Sequence, residues 1–368
     1  MRVLVTGARG FIGSNVTVRL AELDGFDPVP FDLGDDQATL ADRVRDVDAV
    51  VHLAGVNRPE DPAEFTSGNL GLTQAVCDAI ASSGRAMPLI LSSSIQAEQD
   101  NPYGRSKLAA ETAVMKLAEL TGCGVTVFRL PNVFGKWCRP SYNSVVATFC
   151  HKIANDLPVR VDDPARELRL VYVDDVVEAF VSALRTPRPG FAYGTVPVEY
   201  CTTLGQLADQ IGAFRESRRS LVTEGVGTGL VRALYATYVS YLPAADFAYP
   251  LTRHGDSRGV FVEMLKTRDS GQFSFFTAHP GVTRGGHYHH SKTEKFLVIR
   301  GRARFRFRHI LSGEYHALET DGETPQVVET VPGWTHDITN VGDEELVVML
   351  WANEIFDRER PDTYAKPL

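Results

Sequence analysis

The chain has 368 residues, a length that at roughly 150 residues per domain suggests two to three domains. With 43% apolar and 23% charged residues, it fits neither a disordered nor a fibrous chain. Its 38 Lys and Arg against 46 Asp and Glu leave a net charge of −8, which provides no overall field to attract nucleic acid or anionic lipid. The first stretch, MRVLVTGARGFIGSN, runs from a short strand into glycines without the features of a signal peptide, and no apolar run reaches the roughly 18 residues that cross a bilayer. Five cysteines, Cys77, Cys123, Cys138, Cys150 and Cys201, contain no Cys-x-x-Cys pair. A cytoplasmic protein with reduced, packed cysteines and neither a nucleic-acid nor a membrane partner is expected.

Up to about residue 190, the strand-like runs RVLVT, DAVVHLAG, MPLILSSS and GVTVFRL alternate with longer segments of helical period. Such alternation predicts an α/β Rossmann-like fold, a doubly wound parallel sheet with ligands at the carboxyl ends of its strands. Beyond about residue 250 the texture changes to short strands broken by turn residues, SFFTAHPG, KFLVIRG, ARFRFRHI and ELVVMLWA, which predicts an all-β sandwich or barrel. The aperiodic stretch YLPAADFAYPL at 241–251 carries two prolines and marks the boundary. It divides the chain into a dinucleotide-binding domain over 1–245 and a β domain over 246–368. Eight of the ten histidines lie at or beyond His254, a concentration that points to metal chemistry in the second domain.

In the first domain Gly7, Gly10 and Gly13 follow the first strand and interleave with a helical pattern that opens on Phe11 and Ile12. Glycines at this spacing let the backbone turn tightly and approach a dinucleotide pyrophosphate, whose charge is met by the free amides of a helix start. Leu53, Ala54 and Gly55 close the third strand, where backbone facing the cofactor is expected. Tyr103 and Lys107, four apart in NPYGRSKLAAE, share one helical face. The lysine ammonium is therefore expected to stabilise the tyrosinate and lower a pKa that is ordinarily about 10. Proton exchange with a hydroxyl or carbonyl near neutral pH would follow. Of the serines ending LILSSS, Ser94 is assigned to the substrate oxygen, and Ser92 and Ser93 are left to backbone hydrogen bonding. Asp32 ends the second strand and suits the ribose hydroxyls of NAD, whereas Arg9 in the glycine loop suits the extra phosphate of NADP.

Together with RLPNVFG and VYVDDVVEAF, these motifs resemble the extended short-chain dehydrogenase/reductase family over about the first 190 residues. The resemblance implies a nucleotide-sugar substrate, hydride-transfer catalysis by Ser94, Tyr103 and Lys107, and a substrate contact from Asn132. It also favours NADPH as the cofactor, with NADH the alternative that Asp32 keeps open.

In the second domain His287 and His289 are two apart and project from one face of a strand, while Glu294 opens the next strand. PGWTHDITN brings in His336 behind a tight glycine turn. Three imidazoles and a carboxylate suit Zn, Fe, Mn or Ni and leave coordination positions for substrate oxygens or water. From Gly281 to Gly301 the chain resembles the first motif of the cupin superfamily at every defined position. In the second motif Pro332 directly precedes Gly333, whereas the superfamily places the proline two before the glycine.

A 4-keto sugar is a substrate that both sites can use. Its ketone acidifies the neighbouring carbon 3, a metal can stabilise the charge that develops there, and reduction of carbon 4 ends that acidity, so epimerisation comes first. HLAGVNRP, SSSIQAEQDNPYG, FGKWCRPSYNSVVATFCHKIA, EKFLVIRGRARFRFRH and WANEIFDRERPDTY resemble, over nearly the whole chain, the bifunctional epimerase/reductase family of bacterial capsule and O-antigen synthesis on the route to UDP-N-acetyl-L-fucosamine. That resemblance implies a homodimer with zinc in its cupin. It implies carbon 3 epimerisation of UDP-2-acetamido-2,6-dideoxy-4-hexulose and NADPH-dependent carbon 4 reduction, giving UDP-N-acetyl-6-deoxy-L-talosamine. The rival readings are a 3,5-epimerase/4-reductase for a dTDP-deoxysugar, a reductase with a non-catalytic cupin, and an iron-dependent oxygenase. The epimerisation base stays open among His290, His309, Lys266 and Tyr288. His254 and His279 are unassigned, and His151 and His316 are expected on polar surface.

Overall fold

Apolar on both faces, the strand runs of the first half are suited to a sheet covered by helices on either side. They form β1 (Arg2–Thr6), β2 (Asp27–Phe31), β3 (Ala49–His52), β4 (Leu89–Ser94), β5 (Gly124–Leu130) and, later in the chain, β8 (Gly190–Gly194). The order is β2-β1-β3-β4-β5-β8, and every pairing is parallel. A short parallel pair, β6 (Asn132–Phe134) and β7 (Glu167–Tyr172), lies apart from this sheet. Helices α1 (Phe11–Glu22), α2 (Leu72–Ser83), α3 (Pro102–Thr121) and α4 (Val173–Arg185) supply the crossovers. Val76, Ile80, Val114 and Leu117 of α2 and α3 join Leu4, Val50, Leu89 and Val125 of the sheet in one buried cluster. Helix α3 is well bounded: Asn101 caps it by accepting from the Gly104 amide at 2.8 Å, Pro102 occupies its first turn, and Gly122 ends it at φ 69°.

The structure, a computed structural model, describes the chain except residues 33, 58–60, 62–64, 253, 257–258, 262–264, 268–271 and 355–358. At 37, 66–67, 254–256, 259–261, 266–267 and 272–274 it describes the backbone alone. The chain forms two compact units, Met1–Ser144 with Leu168–Cys201, and Val145–Glu167 with Thr202–Leu368.

The second unit is built on two antiparallel five-stranded sheets that make a β-sandwich. One has the order β9 (Ala248–Pro250), β15 (Gln326–Glu329), β12 (Glu294–Arg300), β17 (Leu346–Ala352), β10 (Gln272–Ala278). The other has the order β14 (Tyr315–Asp321), β13 (Arg302–His309), β16 (Trp334–Asn340), β11 (Thr283–Tyr288), β18 (Tyr364–Ala365). Strand β13 shows the governing alternation: Ala303, Phe305 and Phe307 are buried, while Arg302, Arg304 and Arg308 are exposed.

Helices Leu204–Ser220 and Gly229–Val239, which fall within the 1–245 span that the sequence assigns to the first domain, are part of this second unit. The physical reason is a buried ionic cluster around Glu329. Arg218 Nη1 lies 2.5 Å from Glu329 Oε2, Tyr235 donates to Oε1 at 2.9 Å, and Lys295 pairs with Oε1 while bonding the Tyr249 hydroxyl at 3.1 Å. Burial works against the Glu329 charge, but Lys295 and Arg218 outweigh it and hold its carboxyl below the ordinary value. Among the described residues none of the five cysteines forms a disulfide, Cys201 alone of them is exposed, and no helix is long and apolar enough to cross a membrane.

Removing Glu329 leaves Lys295 charged and uncompensated in the interior. Glu329→Ala should therefore lower the unfolding free energy of the β unit by about 3–5 kcal/mol, read from urea denaturation followed by tryptophan fluorescence. Wild-type stability in that variant would show that the cluster does not hold the unit together.

Candidate functional site

The strand order reverses at β1, which has β2 on one side and β3 on the other, so a crevice opens beyond their carboxyl ends. There Gly7 has φ +67°, and a Cβ on it would stand 2.8 Å from the Ala54 amide nitrogen. A Cβ on Gly13 would stand 1.9 Å from the Gly7 carbonyl oxygen, so helix and loop can approach only as glycines. A buried relay fixes the facing segment. Thr6 Oγ1 accepts from the Leu53 and Ala54 amides at 3.2 and 3.3 Å and meets His52 Nδ1 at 2.6 Å; His52 Nε2 meets Thr73 Oγ1 at 2.9 Å, and Thr73 donates to the Asn69 carbonyl. Burial holds the His52 pKa down to about 3, so its ring is neutral and accepts at Nδ1 while donating from Nε2.

This crevice is a cavity of about 990 Å³. Its walls include Gly7, Arg9, Gly10, Phe11, Ile12, Gly13, Asp32, Leu53, Ala54, Gly55, Ser94, Tyr103, Lys107 and Asn132, so the structure brings together every residue singled out in the first domain. The Asp32 carboxylate accepts from the Arg9 backbone amide at 2.5 Å, tying the end of β2 to the glycine loop. Asn132 donates to the Arg169 carbonyl at 3.1 Å.

Lys107 Nζ lies 5.8 Å from the Tyr103 ring centre and donates to the Ser92 carbonyl at 3.3 Å. Burial lowers the Lys107 pKa to about 8, against an opposing pull from Glu111 one turn further along α3. The expected lowering of the Tyr103 pKa is not what the structure gives. Burial raises it, and the counteracting influence is a hydrogen bond with Ser94 rather than the lysine charge. Ser93 also differs from expectation, because its hydroxyl donates to Glu111, whose carboxylate is gripped by Arg129 at 2.6–3.1 Å.

Several residues of this site lack a sequence signal. Asn69 is buried on a π-helical turn, accepts from the Val56 amide at 2.8 Å and donates to Ser106 Oγ at 3.0 Å, joining the backbone after Gly55 to the helix of Tyr103. Trp137, Arg139 and Tyr142 also line the cavity, from a loop held by the buried Lys136, which bonds Asp174 at 2.6 Å. Trp137 and Ser141 sit in the left-handed region at φ 68° and 54°, a cost that non-glycine residues bear only where the surrounding structure imposes it.

In the β unit, glycines at 285 and 286 with φ 97° and 74° bulge β11 and shift its register, so that His287 stands opposite His336 of β16. His289 follows directly, and Glu294 enters at the start of β12, its amide held by Thr330 Oγ1 at 2.9 Å. One potential ligand atom from each of His287, His289, Glu294 and His336 lies within 4.8 Å of the others. Burial, reinforced by the neighbouring imidazoles, holds the His287 pKa down to about 3, and burial lowers that of His336 as well. Burial would raise the Glu294 pKa, but His289 and His336 outweigh it and hold the carboxyl well below its ordinary value. Three imidazoles beside an ionised carboxylate form a donor set suited to a divalent transition ion.

His290 packs against Tyr288 and Tyr364 at 5.6 and 5.0 Å between ring centres, and His309 Nδ1 accepts the Leu311 and Ser312 amides in a turn. The side chains of Lys266 and His254 lie outside the described residues. His316 is half-buried against Phe247 and Phe307 rather than on open surface, His151 stands beside Tyr241, and His279 is exposed.

Residues 3–198 match the NAD-dependent epimerase/dehydratase family, and residues 254–364 match the polysaccharide biosynthesis C-terminal domain. The chain is 59% identical over 365 residues to the UDP-2-acetamido-2,6-beta-L-arabino-hexul-4-ose reductase of Pseudomonas aeruginosa, covering 99% of this chain and 98% of that protein. Among solved structures it is similar to the capsular polysaccharide assembling protein CapF of Staphylococcus aureus, at 41% identity and a TM-score of 0.68 over the whole of both chains. It is similar in fold to the Thermus thermophilus UDP-glucose 4-epimerase in complex with NAD, at 24% identity and a TM-score of 0.51, over 58% of this chain and 83% of that one.

The depressed Lys107 pKa sets a pH dependence. Its folded value, about 8, lies below the ordinary 10.5, so between these the unfolded chain holds more proton and stability rises with pH, by at most about 3 kcal/mol. Urea titrations from pH 7.5 to 10.5 should show this rise in the wild type and its loss in Lys107→Met. Equal slopes would mean that Lys107 keeps an ordinary pKa.

Proposed function

The chain belongs to the NAD-dependent epimerase/dehydratase family and, over its full length, to the family of the Pseudomonas aeruginosa hexulose reductase; from that premise we propose a bifunctional enzyme acting on UDP-2-acetamido-2,6-dideoxy-4-hexulose. Carbon 3 is epimerised in the β unit and carbon 4 is then reduced in the first unit, giving UDP-N-acetyl-6-deoxy-L-talosamine. One observation carries this reading: a single chain holds a Ser94, Tyr103 and Lys107 set on a large glycine-rimmed cavity and a separate cage of three histidines and a glutamate.

In the first site NADPH, when bound, supplies the hydride. The glycine loop and the first turn of α1 would hold its pyrophosphate, and Arg9 would favour the additional phosphate while Asp32 engages the loop's own amide. Ser94 would orient the carbon 4 oxygen, and Tyr103 would give it a proton. Lys107, anchored on the Ser92 carbonyl, keeps a cation beside the tyrosine as that proton leaves. The substrate diphosphate also needs a cation. Arg139 lines the cavity from the loop that follows Asn132 in the chain, its guanidinium 5.3 Å from the centre of the Tyr142 ring.

In the second site His287, His289, Glu294 and His336 would hold a divalent ion, zinc in this reading, which when bound supplies Lewis acidity to the substrate oxygens. Removal and return of the carbon 3 proton on opposite faces inverts that centre. The ketone that makes this proton acidic is consumed by reduction, which fixes the order of the two steps.

The two activities should separate. Tyr103→Phe should slow NADPH oxidation by about 10²–10⁴-fold while solvent deuterium still enters carbon 3, and His336→Ala should lose metal and the exchange together. Absorbance at the NADPH band, bound-metal analysis and proton NMR of the sugar check these outcomes. A folded Tyr103→Phe protein without exchange would remove the two-site reading. Arg139→Ala should raise KM for the UDP-sugar by about 10–100-fold with kcat and the NADPH KM unchanged. A rise in the NADPH KM instead would place that arginine on the cofactor.

A further inference from the structure

The end of the chain lies along the strand that carries His287. Strand β18 pairs antiparallel with β11, with His287 opposite Ala365 and Tyr288 opposite Tyr364, and the Lys366 amide donates to the Gly286 carbonyl at 2.8 Å. Just before this pairing Asp362 adopts left-handed backbone, φ 37°, a conformation that costs a non-glycine residue and is found mainly with Asp and Asn.

The Asp362 carboxylate gathers the loop that leaves His289. Oδ1 accepts from the His290 amide at 2.9 Å. Oδ2 accepts from the Ser291 amide at 2.9 Å, the Lys292 amide at 2.7 Å and Ser291 Oγ at 3.1 Å. The carbonyl oxygen of the same residue lies 2.5 Å from His289 Nδ1. A carbonyl can only accept, so His289 donates to it from Nδ1; the Glu294 carboxylate is an acceptor for Nε2 as well, and with Nδ1 committed to the carbonyl it is Nε2 that gives up its proton when a cation enters the cage. That Nε2 is the atom 3.1 Å from Glu294 Oε2, within the cage.

We propose that Asp362 is a positioning residue for the metal centre: its carboxylate pins the 290–292 loop and its carbonyl fixes the tautomer and ring orientation of His289, so that Nε2 is presented as a ligand. The inference rests on the reading of His287, His289, Glu294 and His336 as metal ligands. Partners that orient a ligating imidazole typically change metal affinity by about 10–100-fold. Asparagine cannot replace Asp362, because one of its two groups is an NH₂ donor and would face amides that are donors themselves.

The test uses the full-length protein and two measurements. Zinc affinity is read by competition with a chromophoric chelator, and the His289 tautomer by ¹⁵N–¹H NMR of the imidazoles in zinc-loaded protein, with circular dichroism as the check on folding. Wild type should show His289 protonated on Nδ1. D362N should bind zinc about 10–100-fold more weakly and show a mixed His289 tautomer. D362N with wild-type zinc affinity overturns the proposal while leaving the ligand reading intact, whereas wild type that binds no zinc overturns both. If D362N fails to fold, the unmodified protein decides: His289 protonated on Nε2 overturns the proposal, and protonation on Nδ1 supports it.

Discussion

The reductive half of this protein depends on one close approach, the backbone of Gly13 lying under Gly7 while Gly7 lies against Ala54. No side chain fits either gap, so β1, α1 and the end of β3 meet at a fixed distance, and the cavity walls take their positions from that contact. The Thr6, His52 and Thr73 relay then locks the β3 end by hydrogen bonds rather than by packing. Because His52 is held neutral, the relay has one direction of donation and one geometry.

A comparable constraint operates in the β unit, where three imidazoles surround one carboxylate in a buried setting. Desolvation alone would favour a protonated glutamate, yet His289 and His336 keep Glu294 ionised, while burial holds the His287 pKa down. Burying these groups does little for stability by itself. The two left-handed glycines of β11 put His287 in register with His336, and the cage is therefore a property of backbone shape as much as of ligand identity.

Local order was legible in the sequence wherever spacing determines geometry. The strand runs and the Tyr103–Lys107 face follow from periodicity and fall on the elements it predicts, whereas the His-x-His pair straddles the end of β11, with His287 on the strand beyond its bulge and His289 just past it. What sequence could not reveal is set by long-range packing. Asn69 meets Ser106, Glu111 meets Arg129, and Asp362 meets a loop some seventy residues earlier, each through a contact with no local signature. The Tyr103 acidity fails for a related reason: four-residue spacing places a cation nearby but says nothing about how much water the fold removes from the phenol. Likewise, the prolines at 243 and 250 mark a break in periodicity, whereas the contacts that gather the second unit begin with helices upstream of them.

The Glu329 cluster bears on how chains of this architecture can be recombined. Arg218 and Tyr235 reach Glu329 from helices that precede the prolines, while Lys295 reaches it from within the sandwich. A graft of the sandwich alone, cut at residue 245, would carry the acid and its lysine but leave behind the arginine and the phenol. No single cut therefore frees the half that holds the histidine cage: an exchange between relatives has to carry Thr202–Leu368 with both helices and, from earlier in the chain, Val145–Glu167 as well.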